Sequence, residues 1–218
     1  MSKHTEIDEL IQAIVGGEAH LSVSLAERLI AKGLTIESLI QDGLTAALQS
    51  LNAKCTNEEF NLLEIVLAGR AMMAVMDNVV ARYLSPSKTV VSEPDRTILL
   101  GTIEGDIHEL GKHVVKMLLR SSGYRVIDIG KDIRPEEFVD RAIQQNAGYI
   151  GVSSLLTPTI PSIRRIKELL HKAGREDIKV IAGGGAIQQT TKGDLNVDFV
   201  ARSAFDILHY LKNLKSEA

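Results

Sequence analysis

The stretch Gly101 to Leu118, GTIEGDIHELGKHVVKML, carries an aspartate, a histidine two places on and a glycine three further: Asp106, His108 and Gly111. An imidazole that ligates a metal through one ring nitrogen needs its other nitrogen held. A carboxylate two residues away can accept that N–H, which fixes the tautomer and raises the basicity of the free nitrogen. A glycine at position 111 lets a bulky group approach the start of a following helix. A solvated loop histidine beside a charged neighbour satisfies the same spacing, so these residues alone leave both readings open.

The elements that must position them change character near Ser85-Pro86-Ser87. Upstream, Leu10, Ile11, Ile14 and Val15 recur at helical spacing and stop at Gly16-Gly17, and Leu21, Leu25, Leu29 and Ile30 follow and stop at Gly33. Ile36, Leu39, Ile40, Leu44, Leu48 and Leu51 predict a third helix, which must accommodate Gly43. Thr56 and Glu59 stand at capping-box spacing ahead of a fourth, along which run Leu62, Leu63, Val66, Met73, Met76, Val80 and Leu84 before Pro86 ends it. Residues 1–88 therefore read as a four-helix bundle.

Residues 92–218 alternate between short β-branched runs and helical stretches, with glycine or polar residues at the junctions. The strands are TILLGTI, YRVIDIG, YIGVSSLL, KVIAGGG and VDFVA; the helices fall near Lys112 to Ser121, Pro135 to Gln145, Ile160 to Lys172, Ala186 to Thr191 and Ser203 to Lys215. Near-continuous apolar runs require cover on both sheet faces, so the fold class is α/β, a doubly wound five-stranded parallel sheet. Ligands of such sheets sit beyond the C-terminal strand ends, and the loop of Asp106 and His108 lies at one of them.

Three other readings of this region fail. HELGKH has the look of a zinc-protease helix, but His108 and His113 are five apart, which places them roughly 140° apart around a helix. Gly101, Gly105 and Gly111 do not have the G-x-G-x-x-G spacing of a dinucleotide fingerprint. A response regulator would want an acceptor aspartate at the end of the third strand, where Ser153 and Ser154 stand.

Bulk properties narrow the function further. The 218 residues are 44% hydrophobic and 24% charged, the composition of ordinary globular domains. The 25 basic and 28 acidic side chains leave a formal charge of -3, which offers no footprint for nucleic acid. No apolar run is long enough to span a membrane, and the charged, helix-patterned N-terminus lacks the features of a signal peptide; a cytoplasmic protein is expected. Cys55, the single cysteine, cannot form an internal disulfide.

Two more loops on the same sheet edge supply what the first one lacks. The third strand ends in VSSLLTPT and the fourth in AGGGA. In order along the chain, Asp106-Ile-His108-Glu-Leu-Gly111, Ser153-Ser154-Leu155 and Gly184-Gly185 resemble the D-x-H-x-x-G, S-x-L and G-G motifs of the cobalamin-binding domain. The helical half is similar to the cap that precedes this domain in methionine synthase and in the small corrinoid proteins of methyltransfer systems, so the resemblance covers roughly the whole chain.

The resemblance implies a cobalamin cofactor, as methylcobalamin or cob(I)alamin, with His108 replacing the cofactor's own dimethylbenzimidazole as lower cobalt ligand. The displaced base, on its nucleotide tail, would enter a slot along the sheet that Gly184 and Gly185 leave open, and Ser153 could bond the tail. Thr157 matches a threonine that contacts that base. Thr159 matches a hydroxyl residue that extends the Asp-His pair in methionine synthase, with threonine here in place of serine. Methyl-cobalt(III) prefers a lower ligand and cobalt(I) does not, so proton uptake by the His108-Asp106 pair can accompany ligand release. Leu62, Val66 and Met72 would cover the upper face of the cofactor, although a methionine stripe at helical spacing is more often plain core.

Within the cobalamin proteins, radical mutases need a catalytic barrel for which the chain has no length. Photoreceptor regulators need a preceding DNA-binding module and a tryptophan in the bundle, and there is no Trp. The remaining expectation is a non-catalytic methyl carrier. It would serve a substrate-specific methyltransferase acting on methanol, a methylamine, a methoxylated aromatic or a betaine, and an acceptor methyltransferase using tetrahydrofolate or coenzyme M. An ATP-dependent reactivating protein would rescue oxidised cobalt. The alternative is a cobalamin-binding sensor or storage module that performs no transfer.

Overall fold

A computed structural model of the chain describes residues 3–56, 62–84 and 94–216. It divides into two compact units, Met1–Ser85 and Pro86–Ala218. The expected Ser85-Pro86-Ser87 boundary and Glu59 of the expected capping box lie outside the described residues.

The first unit is helical. Helices α1 (Lys3–Val15) and α2 (Ala19–Ala31) stop where the apolar periodicity meets glycine. The third, α3, is a continuous run over 36–56 made of Ile36–Ser38, a π-helical stretch Leu39–Thr45, and Ala46–Thr56. Thr56 is the last residue of this helix. Gly43 sits within the widened turn, where a Cβ would lie 3.3 Å from Leu10 Cδ2, so the missing side chain lets α1 press against the run. The fourth, α4, spans 62–83 as Leu62–Val75, a second π-helical stretch Met76–Val80, and Ala81–Tyr83. Helix α4 packs on α1 and α2, and α3 packs on α1. Leu10, Ile14, Leu29, Leu44, Met72 and Met76 are fully or almost fully buried, each such side chain contributing about 1.5–3 kcal/mol.

The second unit is a parallel sheet of β1 (Thr97–Ile103), β2 (Arg125–Ile133), β3 (Tyr149–Ser153), β4 (Lys179–Gly183) and β5 (Phe199–Ala201), in the order β2-β1-β3-β4-β5. The helices are α5 (Leu110–Ser121), α6 (Pro135–Gln144), α7 (Ile160–Lys172), α8 (Lys192–Leu195) and α9 (Asp206–Ser216). Helix α5 covers β1 and β2, α6 lies on β1 and β3, and α7 packs beside α6 on β4. Every residue of β1 is buried, as cover on both faces requires. The chain steps from β1 to β2 and then crosses back to β3, so the winding reverses between β1 and β3 and opens a crevice at their C-terminal ends.

Strands β3, β4 and β5 are shorter than the runs in the sequence, and three further elements differ in ways that bear on the loops. Strand β2 runs on to Ile133, and its extension reaches over the loop after β1. Helix α5 begins at Leu110, which puts Gly111 and Lys112 in its first turn. The short helix expected near Ala186 to Thr191 is a single 3-10 turn, Gly185–Ile187, followed by α8. Among the described residues no helix is long and apolar enough to cross a membrane.

Candidate cofactor-binding site

Strand register brings the three loops together. Thr102 of β1 pairs with Ser153 of β3, which pairs with Gly183 of β4, so the three strands end level and their loops leave the sheet side by side.

The loop after β1 is held from one side by the extension of β2. The Glu104 N–H donates to the Ile133 carbonyl at 2.8 Å, the Gly105 N–H to Asp132 Oδ1 at 2.8 Å, and the Asp132 N–H to the Asp106 carbonyl at 3.1 Å. Asp132 adopts a left-handed φ of 56°, which aspartate tolerates better than most residues. So gripped, the loop turns Asp106 inward, where it is fully buried, and leaves the His108 side chain 51% exposed.

Asp106 uses both carboxylate oxygens. Oδ1 accepts the His108 N–H at 2.9 Å and stands 2.6 Å from His108 Nδ1, while Oδ2 accepts the Leu155 N–H at 2.5 Å. Burial pushes the Asp106 carboxyl up, but the hydrogen bonds from the Leu155 and His108 amides and from the His108 ring outweigh it and hold the group below its ordinary value. An ionised carboxylate can only accept, so we assign the proton to Nδ1, which leaves the lone pair on Nε2. The Thr102 hydroxyl donates to the His108 carbonyl at 3.1 Å and fixes the backbone behind the ring.

The loop after β3 is built on a pair of buried hydroxyls. Ser154 Oγ and Thr159 Oγ1 are 2.7 Å apart, and Thr159 Oγ1 donates to the Leu156 carbonyl at 2.8 Å. This corrects the expected hydroxyl extension of the Asp-His pair: Thr159 turns its hydroxyl to Ser154 and Leu156, and the Leu155 amide occupies the second oxygen of Asp106 instead. Ser153, at the end of β3, is partly buried and Thr157 is exposed. The loop after β4 closes on the same segment. Gly184 has a φ of 119°, and a Cβ on it would lie 2.0 Å from the Ser154 carbonyl oxygen, so only glycine fits. Gly185 follows at the start of the 3-10 turn.

Lys112 carried no signal of its own in the sequence beyond its place after Gly111. Its side chain is 1% exposed, and Nζ donates to Glu109 Oε1 at 3.0 Å, Asp128 Oδ1 at 2.8 Å and the Gly130 carbonyl at 2.7 Å. Lys116 Nζ reaches the other oxygen of Asp128 at 2.8 Å.

Of the bundle residues expected to face a cofactor, Val66 is 58% exposed, with Leu63 and Leu67 exposed beside it in sequence. Met72 is fully buried, a core side chain rather than one turned to a ligand. Leu62 opens its helix, and its side chain lies outside the described residues.

The residues present suit a large, mainly apolar cofactor reached through one nitrogen ligand. The donor set is a single imidazole with its far nitrogen held. A Cβ on Gly111 would meet no protein atom within 4 Å, so protein packing does not account for the glycine and the space beside it is open. Ile107 and Leu156, in the two loops that Asp106 joins, are exposed apolar side chains at 65% and 38%.

A doubly wound sheet with such loops at its switch point defines an α/β ligand-binding domain, here combined with a helical unit. The chain belongs to the corrinoid proteins: a B12 binding domain matches residues 96–208 and a second kind of B12 binding domain matches residues 6–79. It is 32% identical over 216 residues to dimethylamine corrinoid protein 1 of Methanosarcina acetivorans, an alignment that covers 98% of this chain and 99% of that one. It is 31% identical over 204 residues to a corrinoid protein of Desulfitobacterium hafniense, covering 92% and 93% of the two chains. In fold it is similar to the monomethylamine corrinoid protein of Methanosarcina barkeri, with a TM-score of 0.82 over 98% of this chain and all of that one at 21% identity.

Proposed function

We propose that the protein carries a methyl group on a cobalamin between a substrate-specific methyltransferase and a second, acceptor methyltransferase, with His108 as the lower cobalt ligand. The observation that carries the ligand assignment is the fully buried Asp106 carboxylate, 2.6 Å from Nδ1 of a half-exposed imidazole whose Nε2 is left with the lone pair. When bound, the corrinoid supplies a cobalt centre that takes up and gives back the methyl group.

The chain's own residues would do the rest. Asp106 holds the Nδ1 proton and orients the ring, so the strength of the ligand is set from behind it. Ser153, Leu155, Thr157, Thr159, Gly184 and Gly185, at the ends of β3 and β4 and in the loops that follow, are the residues that would receive the displaced base and its tail. Val66, exposed on α4 as Leu63 and Leu67 are, is the residue that would cover the upper side of the cofactor. The relative that acts with dimethylamine in name supports a methylated amine as the donor. An acceptor enzyme using tetrahydrofolate or coenzyme M and an ATP-dependent reactivating protein complete the proposed set of partners.

The test is to load the protein with hydroxocobalamin, pass it through gel filtration and methylate it. Cofactor should be retained stoichiometrically, and His108→Ala should move the methylcobalamin absorption band toward its base-off position. An unchanged band in His108→Ala would remove His108 from the ligand role.

A further inference from the structure

We propose that Lys112 is a positioning residue that sets the placement of His108 by clamping the next residue, Glu109, to the end of β2. The inference rests on the reading of His108 as the cobalt ligand.

Lysine is almost never fully buried unless it is paired, and the Lys112 side chain is 1% exposed. Its place is unfavourable in itself. It stands in the first turn of α5, where the helix dipole disfavours a cation. Compensation comes from three acceptors that use all three ammonium hydrogens: Glu109 on the loop, and Asp128 and the Gly130 carbonyl on β2. Glu109 is the residue before α5, yet its side chain makes no cap and is committed to Lys112, with Lys131 on its other oxygen at 3.3 Å.

The result is a backbone pinned on both sides of the histidine. Before it, Gly105 and Asp106 are tied to Asp132. After it, Glu109 is tied through Lys112 to Asp128 and Gly130. Both anchors belong to β2, so the ring is carried on a segment whose two ends move with one strand.

The experiment compares imidazole ligation and thermal stability in Lys112→Met, Glu109→Ala and Asp198→Asn, each loaded with cob(II)alamin. Asp198 lies outside the clamp, just before β5, where it accepts the Val180 N–H at 2.8 Å and pairs with Lys167. Ligation is read from the nitrogen splitting in the electron paramagnetic resonance spectrum, and stability from the unfolding midpoint of the cofactor-free protein. Lys112→Met and Glu109→Ala should each weaken ligation about 10-fold or more, the scale for groups that orient a metal ligand. Asp198→Asn should lower the midpoint while ligation stays near that of the unaltered protein. A merely structural lysine would make ligation follow the midpoint across all three. If Lys112→Met does not fold, Glu109→Ala, altered at a half-exposed side chain, decides the matter alone. Ligation unmoved in Glu109→Ala, or weakened as much by Asp198→Asn, would overturn the role of Lys112. Lack of imidazole ligation in the unaltered protein would overturn the ligand assignment, and this role with it.

Discussion

The Leu155 N–H donates to Asp106 Oδ2 at 2.5 Å, so the carboxylate that holds His108 through Oδ1 also ties the loop after β3 to the loop after β1. The bond spans the crevice where the winding of the sheet reverses. One side chain thereby fixes both the ligand candidate and the wall that faces it.

Asp106→Asn should therefore fail on one side or the other. An amide has one acceptor oxygen, so its NH2 must point at either the Leu155 N–H or the His108 donors. Ligation by His108 should weaken about 10- to 100-fold, and the unfolding free energy of the cofactor-free protein should fall by about 1–3 kcal/mol for the unsatisfied donor. Titration of the loaded protein and urea denaturation read the two effects separately.

Acid should test the Lys112 cluster. Burial pushes the Asp128 carboxyl up, but hydrogen bonds from Lys112, Lys116 and the Gly130 N–H outweigh it and lower the group to about 2. A carboxyl lowered in the folded state binds fewer protons there than in the unfolded chain, so its contribution is present above the unfolded value and is lost as pH falls. The pair of values, about 2 folded and about 3.9 unfolded, corresponds to about 2–3 kcal/mol, lost mainly between about pH 4 and pH 2. Urea midpoints over that range should fall less steeply in Asp128→Asn than in the unaltered protein. Equal slopes would show that Asp128 is not held low.

Thr159→Val separates a structural hydroxyl from a proton relay. The substitution keeps the shape but leaves the 1% exposed Ser154 with only the Leu156 carbonyl at 3.3 Å, so stability should fall by about 1–3 kcal/mol. Because the Thr159 hydroxyl bonds Ser154 and the Leu156 carbonyl rather than Asp106, the nitrogen splitting expected from His108 in the cob(II)alamin-loaded protein should not weaken. A clear weakening would restore the relay.

Much of this site was legible because its spacing is local. Asp106, His108 and Gly111 fall within six residues, and the alternation of strands and helices is enough to put their loop on a ligand-binding edge. The rest depends on contacts distant in sequence. Nothing near Lys112 announces its burial, because the groups that compensate its charge include Asp128 and Gly130 on another strand. The Leu155 amide is 49 residues from Asp106, and main-chain donors leave no mark on residue type. The π-helical stretches of α3 and α4 were equally hidden, since apolar periodicity marks a buried face and not the hydrogen-bond register. Met72 fits both a lid and a core by its spacing, and packing decided for the core.

Gly184→Ala tests whether the loops after β3 and β4 are as closely laced as the geometry requires. With a φ of 119° and the Ser154 carbonyl oxygen 2.0 Å from the added Cβ, the loop must shift. The cost should be about 1–3 kcal/mol for the backbone strain alone, and cofactor retention in gel filtration should fall with it. Full stability together with full retention would show that this segment has room to spare.

The central claim is that a histidine of this chain ligates the cobalt, and isotope labelling tests it most directly. The protein is prepared with 15N-labelled histidine, loaded with unlabelled cob(II)alamin, and its electron paramagnetic resonance spectrum is compared with that of the unlabelled protein. Ligation by His108 predicts that the triplet splitting from 14N becomes a doublet from 15N, and that His108→Ala loses it. A triplet that survives labelling, or splitting that survives in His108→Ala, would contradict the assignment and return the lower position to the cofactor's own base.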